Sequence, residues 1–261
     1  MPENLRASTL YGVELDSLTG RIAQKLYPDA HISIQGFEHA PLPDGYFDVA
    51  VGNVPFGAYS LADARYDRFH FRIHDYFFAK TLDKVRPGGL IAFVTSKGTM
   101  DKDTPTVRKY LAQRADLLGA IRLPNNTFKD AAGTDVTSDI LFLQKRDALS
   151  SEELDWVHLN TDANGLKINQ YFIDHPEMVM GEMREISGPY GPETACLPLR
   201  GGTWRTSLPL LFRVSKAPSP SMSWMTLRQR ARTSPSPRTR RYGISAIPSW
   251  TARCTTGKTA A

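Results

Sequence analysis

Four consecutive residues, Asn53-Val54-Pro55-Phe56, hold the groups from which an amine-handling site can be built. The amide carbonyl of an asparagine accepts a hydrogen bond from an exocyclic amine, and the main-chain carbonyl of Pro55 is a second acceptor beside it. Phe56 adds a flat apolar face on which a ring can stack. Two acceptors on one NH2 group draw its nitrogen toward tetrahedral geometry, and its lone pair becomes the better nucleophile. On these four residues alone, a strand followed by an ordinary proline turn explains the pattern equally well.

The flanking elements place the tetrapeptide. Phe47 to Val51 is a short apolar run rich in β-formers, which predicts a buried strand. Gly52, Pro55 and Gly57 then turn the chain, so the four residues sit on a loop at the carboxyl end of that strand, where open α/β sheets bind ligands. Leu10 to Glu14 is a strand ending in an acid, and Asp16 or Ser17 can cap a helix that runs to about Leu26, with Pro28 beyond it. His31 to Ile34 is a third strand, followed by Gln35-Gly36-Phe37-Glu38. Asp75 to Val85 has a helical pattern with Phe77, Phe78, Thr81 and Leu82 on an inner face, stopped by Arg86-Pro87-Gly88-Gly89. Leu90 to Thr95 is the next buried strand. Asp103 or Thr104 is the expected cap of a helix with Pro105 at its first position, running to about Arg114. Leu117 to Leu123 and Val136 to Leu143 are strands with an irregular link. His70 and His74 are four apart, but further metal ligands are lacking; capping or packing is the better reading, and no metal is expected.

Taken in order over about residues 10–146, these motifs resemble the adenine-N6 DNA methyltransferases. Asn53-Val54-Pro55-Phe56 matches their Asn-Pro-Pro-Tyr/Phe signature, with Val54 in place of a proline. Ile121-Arg122-Leu123-Pro124, Phe128, Gly133-Thr134 and Asp139 to Leu143 are similar to what the modification subunits of type I restriction systems carry here. Ile168 to Gly181 resembles the segment after the methylase in very large helicase–methylase proteins of mobile elements and phages. The resemblance implies an α/β fold, a class I S-adenosylmethionine-dependent methyltransferase (Rossmann-like) sheet. It implies methyl transfer from S-adenosylmethionine to adenine N6 in DNA, in the cytoplasm, with the base drawn out of the duplex. Helicase domains of the same parent protein are the implied partners. Asn53, Val54, Pro55 and Phe56 become the catalytic loop. Glu14 becomes the ribose ligand of the cofactor, with Asp16 either a second contact or only a helix cap. Phe37 falls at the apolar position near the cofactor adenine, with plain core packing as the alternative. Gly36 stands where the family has an acid, and Glu38 is the substitute. Phe128 either lines the target-base pocket or anchors its loop in the core.

Two features depart from the family. No strand and Gly-rich turn precede Leu10, so the sheet is expected to lack its first strand and Gly-rich loop. That strand is central in the family, between Leu10–Glu14 and Phe47–Val51. Its loss predicts a slot two strand spacings wide, roughly 10 Å, with poor cofactor binding and no activity for the chain alone. Second, residues 200–261 hold 12 Lys/Arg and no Asp or Glu, which leaves 20 basic against 27 acidic residues in 1–199, a net −7 beneath the overall +5. Such a tail reads as a nucleic-acid-binding arm. Its Arg, Ser, Thr and Pro content is also that of an out-of-frame reading of a GC-rich gene, and a frame change near Pro198–Gly202 is the favoured explanation.

The expected organisation is a methyltransferase core over 1–147, a linker toward a following domain over 148–199, and a disordered basic tail over 200–261. No stretch approaches a membrane span and no signal peptide opens the chain. The two cysteines, Cys196 and Cys254, lack metal spacing and fit a reducing compartment. Two rival functions stand beside DNA methylation. One is methylation of RNA guanine or of protein glutamine, which related loops perform. The other is a non-catalytic nucleic-acid-binding or decayed gene fragment.

Overall fold

The computed structural model describes residues 8–188, 191–199 and 241–246, the last six through their main chain alone. The chain forms β1 (Thr9–Glu14), α1 (Ser17–Leu26), β2 (His31–Ile34), β3 (Phe47–Asn53), α2 (Ile73–Lys84) and β4 (Val85–Ser96). Then come α3 (Gly98–Asp101), α4 (Thr106–Ala112), β5 (Ala115–Leu123), α5 (Lys129–Ala132) and β6 (Ser138–Lys145). After these stand β7 (Leu159–Thr161), β8 (Lys167–Asn169), α6 (Gln170–Asp174), β9 (Glu182–Gly188), β10 (Gly191–Leu197) and β11 (Arg241–Ala246).

Among the described residues the main sheet has seven strands in the order β2-β1-β11-β3-β4-β6-β5. The pairings from β2 to β4 are parallel, and β6 runs antiparallel to both β4 and β5. That antiparallel closure is what the methyltransferase resemblance implies, and the fold is of that class I type. Every parallel strand therefore delivers its carboxyl end to one rim, which carries Ile34, Glu14, Asn53 and Ser96.

The larger core cluster lies on one face of this sheet. In β4, Ile91, Phe93 and Thr95 are buried and alternate with less covered neighbours, the period-2 pattern of a strand with one packed face. Phe47 and Ala50 of β3, Leu141 and Leu143 of β6, Phe78 and Leu82 of α2 and Leu111 of α4 complete the cluster. α2 is buried nearly all round, a pattern that needs cover on the outside as well. The loop from Gly57 to Arg72 supplies it: Tyr66 packs edge-on against Tyr76 at 5.4 Å, and Asp63 takes the ammonium of Lys80 at 2.9 Å.

Three expectations change. Pro105 is the N-cap of α4, with no side-chain cap; Asp103 instead pairs with Lys167 at 2.7 Å in an exposed contact. Within the expected linker, residues 156–172 pack against the core. Trp156, Val157, Ile168 and Phe172 belong to the same core cluster, Asn169 donates to the carbonyls of Met100 and Trp156 at 2.9 Å each, and Arg108 donates to the Val157 carbonyl at 2.7 Å. Their elements are three to five residues long, too short to show a period.

The third change concerns the slot between β1 and β3. β11 lies in it, in register Gly12↔Ser245 and Val13↔Ala246 on one side and Ser245↔Val51 and Ala246↔Gly52 on the other. Two facing parallel edges present unpaired main-chain donors and acceptors, and a strand between them satisfies both. Six residues of the expected disordered tail are thus strand, while the remainder of that tail, 200–240 and 247–261, lies outside the described residues together with Cys254.

Candidate active site at the strand ends

Asn53 closes β3, paired with Val94 of β4. Val54 follows, 1% exposed, and its N–H donates to the Val94 carbonyl at 3.0 Å. A proline at position 54 could not make that bond. The ladder bond and the buried side chain anchor the loop at Val54, where the family signature uses ring rigidity. Pro55 is half-buried, and Phe56 is exposed at 36%. The Asn53 Oδ1 is buried and has no hydrogen-bond partner among the described residues.

Glu14 ends β1 and is 3% exposed. Its Oε1 accepts the Asp16 N–H at 2.9 Å, while its Oε2 is buried without a donor among the described residues. A buried acceptor left empty costs about 1–3 kcal/mol, and Glu14 and Asn53 each carry one at the same rim. Val13 and Gly52, the residues before them, both pair with Ala246. Glu14 and Asn53 therefore stand level, two strand spacings or about 10 Å apart.

Asp16 caps α1, accepting the Thr19 N–H at 2.7 Å. Its hydrogen bonds from Thr19 hold the carboxyl below the usual range. One carboxylate oxygen serves as the cap, and the Asp16 N–H lies on the Glu14 carboxylate.

Past β2, the turn at Gly36 is buried, and Phe37 is 4% exposed. Its ring packs 4.8 Å from that of Phe77 and 6.2 Å from that of Tyr76. Phe37 is therefore a core residue beneath the turn. A Cβ built on Gly36 would lie 2.1 Å from Glu38 Oε1 and 2.6 Å from Oε2. The Glu38 carboxylate thus folds back over Gly36 into the space that a side chain at 36 would enter. Phe128 packs against Ile121, Leu123 and Met180, which makes it a loop anchor.

Several polar residues are buried, His74 among them as the packing reading expects. His74 is 3% exposed with neither ring nitrogen hydrogen-bonded, and burial pushes it down to about 4. Asp75 is 1% exposed, and burial pushes its carboxyl up to about 6. The two approach to 3.6 Å, but at neutral pH the imidazole is neutral, so the contact is not an ion pair. Arg122, fully buried, grips Asp139 at 2.8 and 2.9 Å, reaches Asp101 at 2.7 Å, and lies 4.1 Å above the Phe172 ring. Lys80, 6% exposed, interrupts the apolar run Phe78-Ala79-Lys80-Thr81-Leu82. A charge inside a buried helix needs partners, and that was the available signal.

A cavity of about 220 Å³ is lined by Ser60, Leu61, Tyr66, Asp67, His70, Phe71 and Tyr76. It lies along the loop after Phe56, and neither Glu14 nor Asn53 lines it. Among the described residues no cluster of His, Cys, Asp and Glu could hold a metal ion. Burial pushes the Cys196 thiol up to about 12, which leaves it unreactive. No described helix is long and apolar enough to cross a membrane.

The profile of the N-6 DNA Methylase family matches residues 4–174. The chain belongs to that family. Over 160 residues the chain is 33% identical to Defense against restriction protein B of Escherichia phage P1, a match that covers 59% of this chain and 7% of the phage protein's length. Among solved structures it is similar to the M protein of the type I restriction enzyme EcoKI, with 18% identity, 55% of this chain and 32% of that one covered, and a TM-score of 0.43. It is also similar to a modification subunit assigned to a type I restriction enzyme of Vibrio vulnificus YJ016, with 17% identity, 77% and 49% covered, and a TM-score of 0.46.

The donor requirements at the rim fit the family's cofactor. The empty Glu14 Oε2 suits a ribose hydroxyl, and the carboxylate of Glu38 over Gly36 suits an adenine amine.

Proposed function

We propose that the methylase transfers a methyl group from S-adenosylmethionine to N6 of adenine in DNA. The observation that supports this most is the pair of level, buried, empty acceptors, Asn53 Oδ1 and Glu14 Oε2. Each lacks a donor within the described protein, and each matches a donor of one substrate: the exocyclic amine of the base and a ribose hydroxyl of the cofactor.

In this reading Asn53 Oδ1 and the Pro55 carbonyl receive the two N–H groups of the amine and turn its lone pair outward. The exposed Phe56 ring stacks on the base, which must leave the duplex to reach the loop. Val54 keeps Asn53 at that height through its bond to Val94. Glu14 and Glu38 hold the ribose and adenine of the cofactor. Bound S-adenosylmethionine supplies the electrophilic methyl group. The protein's contribution is positioning and amine polarisation. Helicase domains in a longer protein and a cytoplasmic setting belong to the same reading; the chain spans only 7% of the length of its phage relative.

Two measurements test it. Isothermal titration with S-adenosylhomocysteine reads the cofactor site, and Glu14→Ala is expected to abolish the binding. Transfer of a labelled methyl group to DNA, RNA and a glutamine-bearing protein, by a longer protein that contains residues 4–174, reads the substrate. DNA labelling lost on Asn53→Ala is the expected result. Labelling of RNA or protein alone, or labelling untouched by Asn53→Ala, overturns it.

A further inference from the structure

Lys80 occupies an unusual place for an ammonium group. It sits in the third turn of α2, 6% exposed, between the rings of Phe37 at 5.4 Å and Tyr76 at 5.6 Å. Its Nζ donates to the Glu38 main-chain carbonyl at 2.8 Å and to Asp63 Oδ2 at 2.9 Å. Those two acceptors are 25 residues apart and belong to different segments, termed the two walls: the turn after β2 and the loop after Phe56. Glu38 belongs to the turn whose carboxylate covers Gly36. Asp63 belongs to the loop that runs from Phe56 back to α2.

Each acceptor organises its own segment. The Asp63 carboxylate also accepts the Tyr76 hydroxyl at 2.8 Å and the Arg65 N–H at 3.2 Å, and its carbonyl accepts the Tyr66 N–H at 2.8 Å. Burial pushes the Asp63 carboxyl up, but the hydrogen bonds from Lys80 and Tyr76 outweigh this and hold it below the usual range. On the other wall, the Glu38 turn is closed by the His39 N–H on the Gly36 carbonyl at 3.0 Å and the Ala40 N–H on the Phe37 carbonyl at 3.3 Å. The carbonyl of Glu38 points to Lys80, and that bond sets the peptide orientation from which the Glu38 side chain folds back.

We propose that Lys80 is a positioning residue that ties the cofactor-side turn at Gly36–His39 to the substrate-side loop at 60–67, so that order at one wall is transmitted to the other. This rests on the reading of Glu38 as a cofactor ligand. A neutral side chain of similar length would fill the space between the two rings but leave both oxygens without a donor, one of them a charged carboxylate. An arginine could reach both. Lys84, one turn further along α2, is the natural control. Its Nζ donates to the Leu42 carbonyl and to Asp44, each at 2.7 Å; Asp44 also holds Arg65 at 2.7 Å, so Lys84 reaches the 60–67 loop only through that pair and does not reach the turn at Gly36–His39.

The test uses the whole chain as wild type, Lys80→Met, Lys80→Arg and Lys84→Met. Amide exchange is followed at 36–39 and 60–67 with and without S-adenosylhomocysteine, beside its affinity by titration and a urea midpoint. Lys80→Met is expected to raise exchange in both segments and to weaken S-adenosylhomocysteine by about tenfold. S-adenosylhomocysteine is expected to slow exchange at 60–67 in wild type and Lys80→Arg, but not in Lys80→Met. Lys84→Met, with a comparable midpoint, is expected to keep both effects. Loosening of only one wall in Lys80→Met, or equal losses in the two Met variants, overturns the inference. If the wild type binds no S-adenosylhomocysteine, the cofactor reading is what fails; Lys80 is then judged by whether both walls loosen together.

Discussion

Asn53 and Glu14 stand level across β11, each one residue beyond a partner of Ala246, and each holds a buried oxygen with no donor in the described protein. Two unsatisfied acceptors at matching heights are a cost the folded chain carries without visible compensation. Sites that wait for a ligand carry such costs.

That relationship separates stability from function. Asn53→Ala removes a buried acceptor that the described protein does not satisfy, so urea unfolding is expected to show no loss of stability and a gain of up to about 1–3 kcal/mol. Methyl transfer by a longer protein containing this segment is expected to fall by at least about 100-fold, the scale of one positioned polar contact to the reacting group. A large stability loss with little change in rate would place Asn53 in the scaffold.

His74 and Asp75 are expected to give opposite pH signatures. A carboxyl raised to about 6 from 3.8 gives stability that is present below 3.8 and lost as pH rises through 6. An imidazole lowered to about 4 from 6.5 gives stability that is present above 6.5 and lost as pH falls through 4. Each shift corresponds to about 3 kcal/mol. Asp75→Asn is therefore expected to match wild type near pH 4 and exceed it by up to that amount above pH 7. His74→Gln is expected to match wild type above pH 7 and exceed it near pH 4. Denaturant titrations at four or five pH values give both differences; parallel curves for the three proteins would refute the assignment.

Arg122 holds two buried carboxylates, so removing it strands both. Arg122→Met is expected to destabilise by about 3–5 kcal/mol, and adding Asp139→Asn should recover part of that loss. An additive double variant in a thermal or urea series would show that Arg122 and Asp139 do not interact energetically.

The central strand makes its own prediction. With β11 paired on both sides, the amides of β1 and β3 that face it are shielded from water. Truncation after Leu199 is expected to speed hydrogen exchange at Gly12, Val13, Val51 and Gly52 while leaving β4 to β6 protected. Equal exchange with and without residues 200–261 would show that β11 does not hold that position in solution.

Much of the site could be read along the chain because its signals are local. Phe47 to Phe56 shows an apolar run, a turn and an amide–proline–aromatic order, and the fold puts Asn53 at the strand end that those signals require. Glu14 likewise ends its strand. Other positions took their surroundings from packing. Asp16 serves as a cap for the Thr19 N–H. Phe37 could face a ligand or the core, and Phe77 and Tyr76 closed over it. Phe128 could line a pocket or anchor a loop, and Met180, 52 residues on, made it an anchor.

The rest was invisible for the same physical reason. Val54 looks like a lapse from the family signature until the Val94 carbonyl lies 3.0 Å from its N–H. Lys80, Arg122 and Asp139 look like solvent-facing charges until α2, β5 and β6 are packed and each finds its partner. Composition and periodicity report which residues prefer to leave water. They do not report which oxygen a buried cation will meet, because that depends on contacts made only when the sheet is assembled.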